Sequence, residues 1–180
     1  KRRMHVKKSF QVTLFAMEEY NETFENKYIK IIEKNLKESE DVIKYFHSLP
    51  IKIKKEIREN NPQHLSDIYN TMNSAYGFLG RPEKMVEVSR KSLEELKKYS
   101  KGIDRNELIF EGYHQTLLAS LGNNDIDDAV YYLNQAKNLA TQLVSYENGL
   151  ETVGYMYSFQ LPMIINAGLY AEAEDILNFI

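Results

Sequence analysis

Residues Tyr69 to Leu93 read YNTMNSAYGFLGRPEKMVEVSRKSL, and the fold turns on this stretch. It holds an apolar helix pattern, a break at Leu79-Gly80-Arg81-Pro82, and a second, amphipathic helix pattern. Gly80 suits the left-handed backbone with which many helices end, and Pro82 suits the first turn of the next helix. The pattern recurs at a step of 44 residues: Met85, Ala129 and Ala173 follow the break, while Tyr69, Tyr113 and Tyr157 precede it. Two landmarks sharing one period of this size predict an array of stacked helical hairpins.

Working outward, the helices are expected over 62–79, 82–99, 104–121, 125–146, 150–167 and 170–180. Asp125 is positioned to cap one of them, with Asp127 and Asp128 in its first turn, where negative charge suits the helix dipole. Lys101-Gly102-Ile103-Asp104 and Glu147-Asn148-Gly149 are the expected connections, and Gly122-Asn123-Asn124 and Gly168 the other turns. Residues 1–49 contain neither Gly nor Pro, and Phe10, Leu14, Met17, Phe24, Tyr28 and Ile31 recur at helical spacing. This segment is either one long helix or two joined near Asn21, where Asn21-Glu22-Thr23 offers a cap; the cap favours two. Residues 9–48 have the length for one further, diverged pair. Ile51 to Asn60 is a short amphipathic piece. The domain reading is 1–61 as N-terminal helices and 62–180 as three helical pairs. The chain stops at Leu177-Asn178-Phe179-Ile180 in an apolar helix pattern, so the last pair is expected to be truncated. No segment combines period-two alternation with hairpin turns, and no sheet is expected.

The 180 residues are 43% hydrophobic and 27% charged, ordinary for a folded protein and too apolar for disorder. No run of about 18 apolar residues exists to span a membrane. The basic start at Lys1-Arg2-Arg3-Met4-His5 lacks the apolar stretch of a secretory signal. There is no cysteine, which removes disulfides and thiolate metal sites and is compatible with a cytoplasmic location. The net charge of −3 conceals a gradient: residues 1–60 carry 14 Lys and Arg against 10 acids, and residues 123–180 carry only Lys137 against 8 acids. This implies different partners at the two ends, head-to-tail contacts, or two solvated faces of opposite sign.

The pairs resemble tetratricopeptide repeats. Tyr69, Met72, Ala75, Tyr76, Gly80, Glu83, Val86 and Leu93 fall where that family places its large, small and turn residues. So do Tyr113, Leu117, Ala119, Ala129, Leu133 and Ala136, and then Tyr157, Leu161, Ile164, Gly168, Ala173 and Leu177. Met85 and Ser92 stand where the family has small Ala, Asn73, Leu117 and Leu161 replace a usually small residue, and the closing Pro is missing. The 44-residue step is longer than the family's common unit and is similar to the arrays of peptide-sensing bacterial regulators. The resemblance, over 62–180, implies an all-α superhelix of antiparallel helix pairs whose first helices line a concave groove. In that register the groove is lined by Asp67, Asn70, Ser74, Glu111, His114, Leu118, Tyr155, Ser158 and Ile165.

The chemistry of enzymes is not legible. No GxxxxGK[ST], GxGxxG or GxSxG motif occurs, and His5, His47, His64 and His114 show no metal-ligand spacing. No catalytic residue, metal or cofactor is expected. Acids Asp125-Asp127-Asp128 and Glu172-Glu174-Asp175 open helices, where capping accounts for them. The basic residues around Lys52, Lys54, Lys55 and Arg58 make a solvated face more than a nucleic-acid surface, because the chain as a whole has a pI near 5.9. Pro162 falls inside a first helix and predicts a kink or local unwinding, either a hinge or a tolerated irregularity. The resemblance therefore implies a non-catalytic protein- or peptide-binding module, or else the peptide-sensing part of a larger regulator. With Asp67 and Glu111 on the groove and no Lys or Arg, a basic peptide is the better match, and acidic C-terminal tails are repelled. Self-association through the apolar C-terminal helix is the other contact expected.

Overall fold

A computed structural model describes residues 2–98, 103–146 and 149–179, without the side chains of 2–10, 62, 103 and 104. Among these residues the chain is all-helical, with no strand. The helices are α1 (Arg2–Thr23), α2 (Asn26–Ser48), α3 (Ile51–Asn60), α4 (Pro62–Phe78), α5 (Pro82–Lys97), α6 (Ile103–Gly122), α7 (Ile126–Leu143), α8 (Gly149–Asn166) and α9 (Tyr170–Phe179). The expected connections at Lys101-Gly102 and Glu147-Asn148 lie outside the described residues. Two compact units divide at residue 100, one hairpin later than the sequence division at residue 61.

The first unit is built on α4, which packs against α1, α2, α3 and α5. Its N-terminal segment is two helices, but the break falls at Phe24-Glu25, not at Asn21. The Thr23 hydroxyl bonds back to the Glu19 carbonyl at 2.7 Å and holds the last turn of α1 closed past Asn21. Phe24 then takes a left-handed backbone (φ 55°) that turns the chain. α2 buries Ile32, Leu36, Ile43 and Phe46 at helical spacing, so one face supplies the core. Arg58 of α3 meets Glu95 of α5 in a largely buried ion pair at 2.6 Å, which Lys98 joins at 2.7 Å. Burial alone would raise the Glu95 pKa; the hydrogen bonds from Lys98 and Arg58 outweigh it and hold the carboxyl below its usual range.

The turns at the three hairpins are the same turn. Gly80, Asn124 and Gly168, each 44 residues from the next, all have positive φ, at 66°, 56° and 79°. Each closes its helix with the same bonds. Arg81, Asp125 and Leu169 donate their amides five residues back, to the carbonyls of Tyr76, Ser120 and Ile164 at 2.9, 2.9 and 3.1 Å. This is the Schellman closure, in which a left-handed residue lets the chain satisfy the last carbonyls of the helix. At the middle turn the left-handed residue is Asn124; Gly122 is still helical. Among the described residues a side-chain cap is found at the α7 start, where Asp125 accepts from the Asp128 amide at 3.2 Å.

The hairpins differ in how they fill the seam between their helices. Ala129 and Ala173 are buried small residues, as the repeat pattern demands. In the first hairpin the sizes are exchanged. Met85 occupies the small position, and its Sδ lies 3.2 Å from where a Cβ on Gly77 would stand. One step on from Gly77 are Leu121 and Ile165, so the large residue has moved from the first helix to the second. Likewise Ser89 donates to Asn73 at 2.8 Å inside the first hairpin, where the second has Leu117 and Leu133, both fully buried.

In the second unit α6 packs on α7 and α8, and α8 packs on α6, α7 and α9. α8 runs through Pro162 as an uninterrupted helix, contrary to the expected unwinding. The ring is exposed, and the Ser158 carbonyl that it deprives of a donor belongs to an exposed residue, within reach of water.

Candidate functional site

The expected groove residues lie on the first helices of the hairpins, in two separate units. On α4, Asp67, Asn70 and Ser74 are all half-buried on one stripe. Asp67 accepts from the Gln63 amide at 3.0 Å. These three belong to the first unit; the remaining expected residues belong to α6 and α8 of the second.

Just over half of the described α6 residues are buried. Of those that stay accessible, Glu107, Glu111, Gln115, Leu118 and Gly122 form one line, spaced by three and four, and Arg105, Asn106 and Leu121 lie outside it. Adding 44 to each gives Glu151, Tyr155, Phe159, Pro162 and Asn166, all exposed on α8. The two lines are the same stripe on successive first helices. It is acidic and polar on α6 and aromatic on α8, where Tyr155 is 70% and Phe159 62% exposed. The C-terminal ends of the two helices border a cleft of ≈ 430 Å³ lined by Leu121, Gly122, Asn124, Ile126, Met163, Asn166 and Ala167. Its lining mixes apolar side chains with the amides of Asn124 and Asn166.

Of the expected groove residues, Glu111, Leu118 and Tyr155 lie on this stripe. Ser158 and Ile165 are exposed but displaced round α8 from it. His114 is a correction: it has no exposed surface and sits in the seam between α6 and α8. Its ring packs edge-on against Phe110 and Tyr157, with centroids 4.3 and 5.1 Å away. Nδ1 meets Gln160 Oε1, and the Gln160 amide reaches the His114 carbonyl at 3.5 Å. With Oε1 facing it, Nδ1 carries the proton. The buried Nε2 then has no partner among the described residues, nor does the Tyr157 hydroxyl. Burial drives the His114 pKa down to about 4 against a smaller upward pull from Gln160, so the ring is neutral at pH 7. Burial likewise pushes the Tyr157 phenol up. The family register placed His114 on the groove, whereas its ring is turned toward the neighbouring helix.

Sequence reading passed over Phe159, Met163 and Gln160. Phe159 carried a signal, lying four residues after Tyr155 and one step after Gln115. Gln160 carried none, because its partner is 46 residues away and not at the repeat step. Among the described residues no group of His, Asp and Glu is placed to hold a metal ion, and no helix is long and apolar enough to cross a membrane. Comparison with known proteins finds no family model, no curated protein and no solved structure that matches the chain.

Proposed function

We propose that the chain is a non-catalytic binding module that takes a protein or peptide segment along the accessible stripe of its first helices. The observation that carries this reading is the stripe on α6 and α8. At equivalent positions the two helices keep a line of side chains accessible, acidic at Glu107, Glu111 and Glu151 and aromatic at Tyr155 and Phe159. Aromatic anchors beside acids favour a segment that brings basic and apolar side chains together. The resemblance to tetratricopeptide arrays, whose first helices face the ligand, supports the same surface.

The test is a peptide array screened against the purified chain, with hits measured by fluorescence anisotropy. Basic peptides with interspersed apolar residues are the expected hits. Glu111→Gln removes the charge at nearly constant shape and lowers their affinity about fivefold, in the range expected of one partly exposed charge contact. An array without hits, or unchanged affinity in that variant, refutes the reading.

A further inference from the structure

In the first unit, α3 holds its place without a core. None of its ten residues is buried. Lys54, Ile57 and Arg58, spaced for one face, are half-buried, and the rest are exposed, Ile51 and Ile53 among them. Ten residues are too few for a helix to persist in water by itself, and one half-buried isoleucine adds little apolar burial. What fastens α3 is Arg58. Its Nε and Nη2 reach Glu95 Oε2 of α5 at 2.7 and 2.6 Å, and its guanidinium lies over the Phe46 ring of α2 at 5.2 Å. The Arg58 side chain is 13% exposed and that of Glu95 5%. Lys98 donates to the other Glu95 oxygen at 2.7 Å. Lys54 also reaches the His47 carbonyl, in an exposed bond of 3.3 Å. Pro50 precedes the helix and Asn61-Pro62 follows it. Neither proline has an amide to bond back into the preceding helix, so α3 can move without breaking the backbone ladders of α2 or α4.

We propose that α3 is a strap fastened by one latch, the Arg58–Glu95 pair, and that breaking the latch releases the strap as a unit while α2, α4 and α5 stay folded. The reason is the fate of the stranded charge. Without the Glu95 carboxylate the Arg58 guanidinium sits over Phe46 with no counter-charge, and a buried, unpaired charge is costly. Lys98, deprived of the same partner, adds repulsion. Relief does not require the unit to unfold. With so little else holding α3, the helix swings out and Arg58 regains water. Release bares Phe46, which is 3% exposed beneath the guanidinium. It also frees a helix carrying Lys52, Lys54, Lys55 and Arg58. α2 then presents an aromatic ring that the closed form hides.

The experiment is residue-by-residue hydrogen exchange on the full chain at neutral pH. In the parent chain the amides of Lys55 to Asn60 exchange faster than those of Met72 to Tyr76 in α4, because α3 opens locally. Glu95→Gln, of nearly constant shape, speeds exchange over Lys55 to Asn60 about a hundredfold, as loss of one partner of a buried pair implies. It changes Met72 to Tyr76 by less than about threefold, since the opening stays local. Adding Arg58→Met removes the stranded charge, keeps an apolar stem over Phe46 and returns most of the lost protection. Lys55→Gln breaks the exposed Lys55–Glu59 pair on the same helix and leaves exchange within about twofold. Equal acceleration of α3 and α4 in Glu95→Gln overturns the proposal, because the pair then holds the whole unit. So does parent exchange in α3 no faster than in α4, α3 exchange unchanged by Glu95→Gln, no recovery on adding Arg58→Met, or a loss from Lys55→Gln as large as that from Glu95→Gln.

Discussion

α6 and α8 are the same helix built twice with different surroundings. Each has a buried tyrosine at its centre, Tyr113 and Tyr157, and each ends in the same left-handed turn. α6 is buried over more than half of its described length, and the buried His114 in its seam is answered by Gln160 of α8. α8 is enclosed on one side alone, and its open arc is mostly apolar. The difference teaches that a residue's position on its helix fixes its direction relative to that helix, while its burial depends on which neighbour arrives.

The comparison breaks most readily at the tyrosines. If the two positions are equivalent, Tyr113→Ala and Tyr157→Ala each destabilise by about 3–5 kcal/mol in urea unfolding, as buried aromatic truncations do. A large loss at one and none at the other would end the equivalence.

The next effect belongs to α6 alone. His114 titrates near its ordinary 6.5 in the unfolded chain and at about 4 in the folded one. The unfolded state therefore takes up a proton first as pH falls. Stability declines from pH 6.5 toward pH 4 and then levels, by roughly 3 kcal/mol in all if the whole shift is expressed. His114→Phe should flatten that window, measured by urea unfolding at successive pH values. Ser158, the same position on α8, has nothing to titrate. A slope unchanged by His114→Phe would show that the seam is not the source.

The smallest effect sharpens the contrast within α8. Tyr155→Ala, two residues from Tyr157, changes stability by no more than about 0.5 kcal/mol, the usual range for exposed positions. A loss approaching that of Tyr157→Ala would mean that Tyr155 is covered.

Much of this was legible in the chain because the signals are local. The Gly80 and Gly168 turns and the Asp125 cap each depend on residues within one turn of helix, and each is found where the sequence places it. The break near Asn21 was misplaced by three residues because Thr23 could serve either as a cap or as a bond back into α1, and only the geometry chose. Pro162 does not unwind α8, since its ring faces solvent and the helix on either side is held by packing at Tyr157 and Ile164.

By itself, then, the sequence determined the helices, their pairing and their turns, because backbone closure at Gly80, Asn124 and Gly168 is decided by nearest neighbours along the chain. Only the tertiary structure decided which accessible-looking positions were accessible. His114 and Ser158 have the same phase on their helices, yet one is sealed and the other open. The physical reason is that burial is a property of the contact between helices, and the partners that make it, such as His114 and Gln160, are far apart in the chain and follow no period.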